Sequence, residues 1–210
     1  MNHLLHPTYF PNIATLAVLA HKNCIWETQD NYQKQTYRNR CHICTDAGLH
    51  KLNIPIHHVG GTHGRQKYKE VRIKNEYLWQ RQHWRTLQTA YRTSPYFEFY
   101  EDELAPLFNR PYQFLMDFNF EAIRLLCECL QLLRPQAETS TYEVEVHDKV
   151  DVRFLVNAKK EPDLSQKKYD QVFMERHGFV GNTSGLDLLF NLGPNAKNYL
   201  ENQSLQFLHA

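Results

Sequence analysis

Pro7 and Pro11 stand between an apolar triplet and a long apolar run, and no other feature constrains the fold of this chain as strongly. Each proline fixes its own φ and biases the residue before it away from helix, so His6-Pro-Thr-Tyr-Phe-Pro11 must be a stiff extended turn. Upstream, His3-Leu4-Leu5-His6 reads as a short strand. Downstream, Asn12 can cap Ile13–His21, which is apolar on nearly all sides and is therefore expected to be a buried helix. Cys24-Ile25-Trp26 follows as a second short strand. Strand, stiff loop, helix and strand make a compact βαβ unit with parallel strands and a right-handed crossover. In open sheets of this kind ligands bind at the loops that leave the carboxyl ends of the strands. Those loops are His6–Pro11, which holds Tyr9, and the one that begins near Thr28.

The second loop leads into Asn31–Arg40, NYQKQTYRNR, whose only charges are Lys34, Arg38 and Arg40. They are interleaved with Tyr32, Tyr37 and the amides Asn31, Gln33, Gln35 and Asn39. Guanidinium groups make fork-like hydrogen bonds to phosphate or carboxylate, and amides and phenols fix the remaining edges of a ligand. The stretch reads as an anion-binding surface. Its alternative is a solvated strand edge blunted by positive charge. If Lys34, Arg38 and Arg40 are exposed ligand contacts, Arg→Lys exchanges there should cost binding and about 0–1 kcal/mol of stability.

The rest of the first half reads as two strands, Arg40–Thr45 and Leu49–Ile56, joined by Asp46-Ala47-Gly48. His57–Gly64 is a loop without the glycine spacing of a phosphate-binding fingerprint. Tyr68–Ile73 is expected to be an edge strand. Asn75 is expected to cap a helix that runs to Ser94-Pro95. Tyr96–Leu104 forms the next helix, and Asn119 caps a third over Phe120–Leu133. Thr141–Val146 alternates as a strand should, with Tyr142, Val144 and Val146 on one side. Asp151–Val156 fits either a strand or a short helix. Tyr169–Arg176 is expected to be helical and to stop at Gly178. Thr183 is expected to cap Ser184–Asn191, and Gly193-Pro194 to separate it from Asn195–Asn202. The expected fold is α/β over residues 1–210, a single domain with a small, partly parallel sheet from the N-terminal third covered by later helices.

Twenty-four basic against 23 acidic residues leave a formal charge of +1, which argues against a general polyanion binder and makes any anion site local. The longest apolar run, Ile13–Ala20, is too short to span a bilayer, and no signal peptide is read before it. Five cysteines suit a reducing compartment. The expected location is the cytoplasm.

Other constellations carry alternatives. Trp79, His83, Leu87 and Tyr91 share one row of a helix. Trp, Leu and Tyr at that spacing make a core with a hydrogen-bonded histidine in it; alternatively His83 walls a pocket as general base, with Trp79 and Tyr91 as stacking surface. Cys41-x-x-Cys44 lacks a second pair, and on a strand its sulfurs face opposite sides, so no metal is expected. Completing a zinc site would need His57, His58 or His63. Asp148, Asp151 and Arg153 receive no role, and Ser184 is read as part of a helix cap.

The ordered series of motifs resembles one family. His6-Pro-Thr-Tyr-Phe-Pro11, Asn31-Tyr32, Tyr37-Arg38-Asn39-Arg40 and Leu52-Asn-Ile-Pro-Ile56 are followed by Val71-Arg-Ile73 and Trp79-Gln-Arg-Gln-His83-Trp84. Tyr91, Ser94-Pro95-Tyr96 and a closing Asp187-Leu-Leu-Phe-Asn191 with Gly193-Pro194 complete the series. From His6 to about Leu200 the chain resembles the WbqC-like protein family in its Bacteroidetes-type form. The resemblance implies a bacterial setting in O-antigen and other surface-polysaccharide synthesis, and it transfers no catalytic residue. Many relatives carry Gln where this chain has His6, and Gly-Tyr-Phe where it has Ala14–Leu16.

These readings combine into an expected enzyme, a transferase acting on a nucleotide-linked sugar or similar anionic precursor without a resident cofactor. Lys34, Arg38 and Arg40 would hold the anion and His83 would move the proton. The alternative is a non-catalytic module that contacts RNA or scaffolds the glycan enzymes. A closed concave cavity would favour the first, and a basic stripe over a flat face the second.

Overall fold

The structure is a computed structural model that describes residues 1–57 and 66–208. The βαβ unit is present: strand β1 (His3–Leu5), helix α1 (Ile13–His21) and strand β2 (Cys24–Trp26), with β1 and β2 parallel from His3 opposite Cys24 to Leu5 opposite Trp26. Asn12 caps α1 as expected, its Oδ1 accepting from the Thr15 N–H at 3.1 Å. All seven residues from Ile13 to Leu19 are buried, which is why this helix carries no polar face. Phe10 reaches φ +41° in the proline turn, a left-handed conformation that costs a bulky residue about 1–2 kcal/mol. The Ser184 hydroxyl holds that bend by donating to the Phe10 carbonyl at 3.0 Å.

Strands β3 (Arg40–Thr45) and β4 (Gly48–Asn53) form a separate antiparallel hairpin. The third parallel strand, β5 (Val150–Asp151), comes from late in the chain and gives the order β2-β1-β5. The protein is therefore α/β, with a small parallel sheet plus a hairpin. Helices α2 (Trp79–Tyr91), α3 (Phe97–Leu104), α4 (Leu115–Cys129), α5 (Met174–His177), α6 (Gly185–Leu192) and α7 (Ala196–Glu201) supply the rest.

Several expectations are corrected, each for a tertiary reason. Tyr68–Glu70 is a 3-10 turn rather than a strand edge, because the Tyr68 ring is drawn into the core and its hydroxyl donates to the Pro7 carbonyl at 2.8 Å. Asn75 does not cap α2; its side chain accepts from the Trp79 indole at 3.3 Å. Asn119 lies inside α4, fully buried, and donates to the Arg38 carbonyl at 2.6 Å. The helix starts earlier than expected, at Leu115, and leaves Leu133 beyond its end, 91% exposed. Residues 141–146 alternate but find no partner strand, so they run as an irregular strap. In place of the expected helix over Tyr169–Arg176, only Met174–His177 is helical, ending at Gly178 with φ +81°. Ser184, not Thr183, caps α6, accepting from the Leu186 N–H at 3.2 Å. The loop His57–Gly64 lies largely outside the described residues.

Helix α6 meets α1 and α4 through Gly185, where a Cβ would stand 2.3 Å from Leu16 Cδ1 and 3.0 Å from Leu126 Cδ2. Gly185→Ala is expected to cost about 1–3 kcal/mol by overpacking, although alanine is the better helix former. A denaturant midpoint unchanged from the parent would refute this packing argument.

Candidate functional site

The three parallel strands end on one side of the sheet, and the residues that follow them wall one cavity of about 380 Å³. His6 follows β1, Asp30 follows β2, and Arg153, Phe154 and Val156 follow β5. Lys34 and its neighbouring amides come from the long loop after β2, and Asn157 and Lys159 close the far side. Ligand sites of open α/β sheets lie at this edge because the strands deliver loops there from several directions.

The floor is a buried ionic cluster. Arg38 is fully buried, and its Nη2 donates to Asp30 Oδ2 at 2.6 Å. The same nitrogen lies 3.0 Å from His6 Nε2 and 3.3 Å from His6 Nδ1. Approach to both ring nitrogens at once places the guanidinium over the imidazole face rather than along one lone pair. Asp30 Oδ1 accepts the Asn31 N–H at 2.6 Å, which fixes the carboxylate. Burial lowers the His6 pKa well below 6.5, and the positive charges of Arg38 and Arg153 lower it further. His6 is thus neutral at pH 7, with the imidazole in its proton-accepting form.

The second wall is built by Arg153. It forks onto Asp151 at 2.9 and 2.6 Å, donates to the carbonyls of Glu143 and Val144 at 2.8 and 3.2 Å, and lies 3.6 Å from Glu27. Its donors are committed to holding the strap that carries Tyr142. Among the described residues, Lys34 and Lys159 are the cavity cations with no ion-pair partner.

Of the residues singled out in the sequence, Lys34 lines this cavity and Arg38 lies beneath it. The picture of Arg38 as an exposed contact is corrected: its charge is spent on Asp30 in the interior. Arg40 opens β3 opposite Asn53, and its Nε is buried without a hydrogen-bond partner. Asn39 closes the hairpin by donating to the Ile54 carbonyl at 3.0 Å. Asn31 bridges to Lys67, and Tyr32 stands 6.3 Å from the Tyr68 ring. The Tyr37 hydroxyl bonds Glu161 and meets His42 Nδ1 at 3.1 Å; Glu161, which also takes a bond from Asn182 at 3.0 Å, thereby anchors the segment that presents Lys159. Tyr91 donates to the buried Asp187 at 2.7 Å.

His83 sits elsewhere, against the hairpin, bonded through Nδ1 to the Tyr9 hydroxyl at 2.9 Å and packed on the Trp79 edge with centroids 5.2 Å apart. It is not among the residues that line the cavity. Its pKa is pushed down to about 4 by burial first, then by His50, with a bond to the Asn53 backbone opposing. The Arg38–Arg40 cluster plays no part in that shift.

This burial sets a pH dependence. Between pH 6.5 and about 4 the unfolded chain takes up a proton at His83 that the folded chain refuses, so stability present above pH 6.5 is lost as pH falls through 4. The effect is on the order of 3 kcal/mol. His6 acts in the same direction, while Asp187, its carboxyl raised by burial, acts in the opposite one. Melting temperature is expected to fall from pH 7 to pH 4, less steeply in His83→Gln; equal slopes would refute the assignment.

Cys41 and Cys44 are both buried, and burial raises both thiols, Cys44 to about 12. In the metal-free protein burial therefore keeps both thiols protonated. Among the described residues no three His, Cys, Asp or Glu side chains are grouped to hold a metal ion; His58 and His63 lie outside them. Elemental analysis is expected to find substoichiometric zinc, and chelator to leave the melting temperature unchanged.

A family model for the WbqC-like protein family matches residues 6–163, from the histidine at the cavity floor to just past the Glu161 anchor. The chain belongs to the WbqC-like family. A curated relative, the uncharacterized protein Rv1507c of Mycobacterium tuberculosis, is 27% identical over 198 residues, covering 80% of this chain and 83% of its own. No solved structure matches the chain. Among the described residues of this WbqC-like protein no helix is long and apolar enough to cross a membrane. The matched range contains every residue of the cavity. Sequence reasoning passed over Asp30 and named Arg153 without giving it a role; their positions past strand ends were the available signal.

Proposed function

We propose that this WbqC-like protein is an enzyme of surface-polysaccharide synthesis that binds an anionic, sugar-bearing precursor at the strand ends and transfers or modifies a group on it. One observation carries the reading: two unpaired lysines, Lys34 and Lys159, line a concave cavity whose floor presents a neutral imidazole. The lysines offer charge to phosphate or carboxylate, and Gln33, Gln35 and Asn157 offer amides to hydroxyls. His6 takes the role of general base in this chain, because it faces the cavity and His83 does not; relatives with Gln at this position would have to use another group. The concave shape and the near-zero net charge favour a small molecule over RNA.

The test is a thermal-shift titration with nucleotide sugars, sugar phosphates and short RNAs, since a ligand that binds only the native state raises its stability. Nucleotide sugars are expected to raise the melting temperature. Lys34→Ala and Lys159→Ala are each expected to weaken binding about tenfold, near 1.4 kcal/mol, without changing the melting temperature of the free protein. A shift with RNA alone would overturn the reading.

A further inference from the structure

Phe154 and Tyr142 are the exposed aromatic side chains among the residues that line the cavity. The 3-10 turn Arg153–Val156 buries Arg153, Leu155 and Val156, and only Phe154 turns outward, 45% exposed. Tyr142 is 40% exposed on the strap. Single exposed aromatics are ordinary, but these two line the same cavity as Lys34 and Lys159. Tyr142 is also held in place. Arg153 donates to the carbonyls of the next two strap residues, Glu143 and Val144, and its guanidinium lies 5.2 Å from the Tyr142 ring centroid. A flat ring pinned by a cation beneath it is a stacking platform with its other face available.

We propose that Phe154 and Tyr142 are the specificity residues of this cavity, taking the heterocyclic base of a nucleoside diphosphate while Lys34 and Lys159 meet its phosphates. The proposal rests on the anionic-ligand reading above and names the class of ligand for the same cavity. Stacking recovers the apolar area that both rings leave in water, and it tolerates any base because every base has a π face. The amides of Gln33, Gln35 and Asn157 line the same space and can meet base edges or ribose hydroxyls. A sugar phosphate or an inorganic anion would use the lysines and leave both aromatic rings uncovered.

Calorimetric titration with UDP, ADP, GDP, ribose 5-phosphate and inorganic pyrophosphate separates the alternatives. At least one nucleoside diphosphate is expected to bind about tenfold or more tightly than pyrophosphate. Phe154→Ala and Tyr142→Ala are each expected to weaken it by about tenfold, within the range of one lost stacking contact, and to leave pyrophosphate affinity unchanged. Phe154→Trp should preserve nucleotide binding. Lys34→Ala should weaken nucleotide and pyrophosphate together. Pyrophosphate binding as tight as any nucleotide, or an equal loss for both ligands in Phe154→Ala, would overturn the base assignment while the anion site stands. No binding of any of the five would overturn the anion reading and this one with it. Both aromatic residues are exposed, so their variants are expected to melt with the parent; a melting temperature lowered in both would instead make them structural and end the proposal.

Discussion

Asp30→Ala is expected to lower folding stability by about 3–5 kcal/mol, the largest single effect of any residue at this site. The variant keeps the Arg38 guanidinium in the interior, fully buried, and removes the carboxylate 2.6 Å away that balances it. Two guanidinium nitrogens, Nε and Nη1, already lack hydrogen-bond partners, so nothing nearby can take over. The cation–π contact with Tyr68, 5.3 Å from the ring centroid, contributes too little to replace an ion pair. The double variant Asp30→Leu, Arg38→Met should recover most of the loss, because a buried pair exchanged for apolar groups of similar volume is often neutral. Urea denaturation of the parent, Asp30→Leu, Arg38→Met and the double variant measures the coupling. A loss below about 1 kcal/mol in Asp30→Ala would mean that Arg38 is solvated and that the cavity floor differs from the one described here.

His6→Gln carries the largest expected effect on activity. Glutamine keeps a hydrogen-bonding group of similar reach but cannot exchange a proton near pH 7, so folding and ligand binding should stay close to the parent while turnover falls about 100-fold or more. The imidazole is already neutral at pH 7, so the exchange removes no charge from the cluster with Asp30 and Arg38. The assay is turnover of whichever nucleotide sugar the titrations select, with binding measured in parallel. Undiminished turnover would reduce His6 to a hydrogen-bonding role, which glutamine fills equally well. His83→Gln serves as the control: it should alter the pH profile of stability and leave turnover within a few-fold of the parent, because the ring bonds Tyr9 outside the cavity.

The places where sequence reading succeeded share one property: their determinants are local. Asn12 caps α1 through its own third neighbour, the prolines stiffen six residues, and the apolar runs on either side have no alternative to burial. The parallel pairing of β1 and β2 follows from the connection between them, and the cavity lies at the edge that this topology favours. Reading failed where a residue's partner is remote in sequence. Asn119 has the chemistry of a cap, but the carbonyl of Arg38 and the hydroxyl of Tyr68 make it an interior bracket of α4. Tyr142 and Val144 alternate like a strand, yet among the described residues they pair with no strand, and Arg153 takes their strap instead.

The sequence by itself determined the α/β class, the βαβ start and the loops that wall the cavity, because these depend on periodicity, proline geometry and capping within a few residues. The tertiary structure alone decided which charges line the cavity. Arg38 and Lys34 lie four residues apart in one basic stretch, yet one is sealed against Asp30 while the other lines the cavity. Burial is a property of the packed whole: a charge that no local pattern distinguishes from its neighbour becomes an interior ion pair or a ligand contact according to what folds over it.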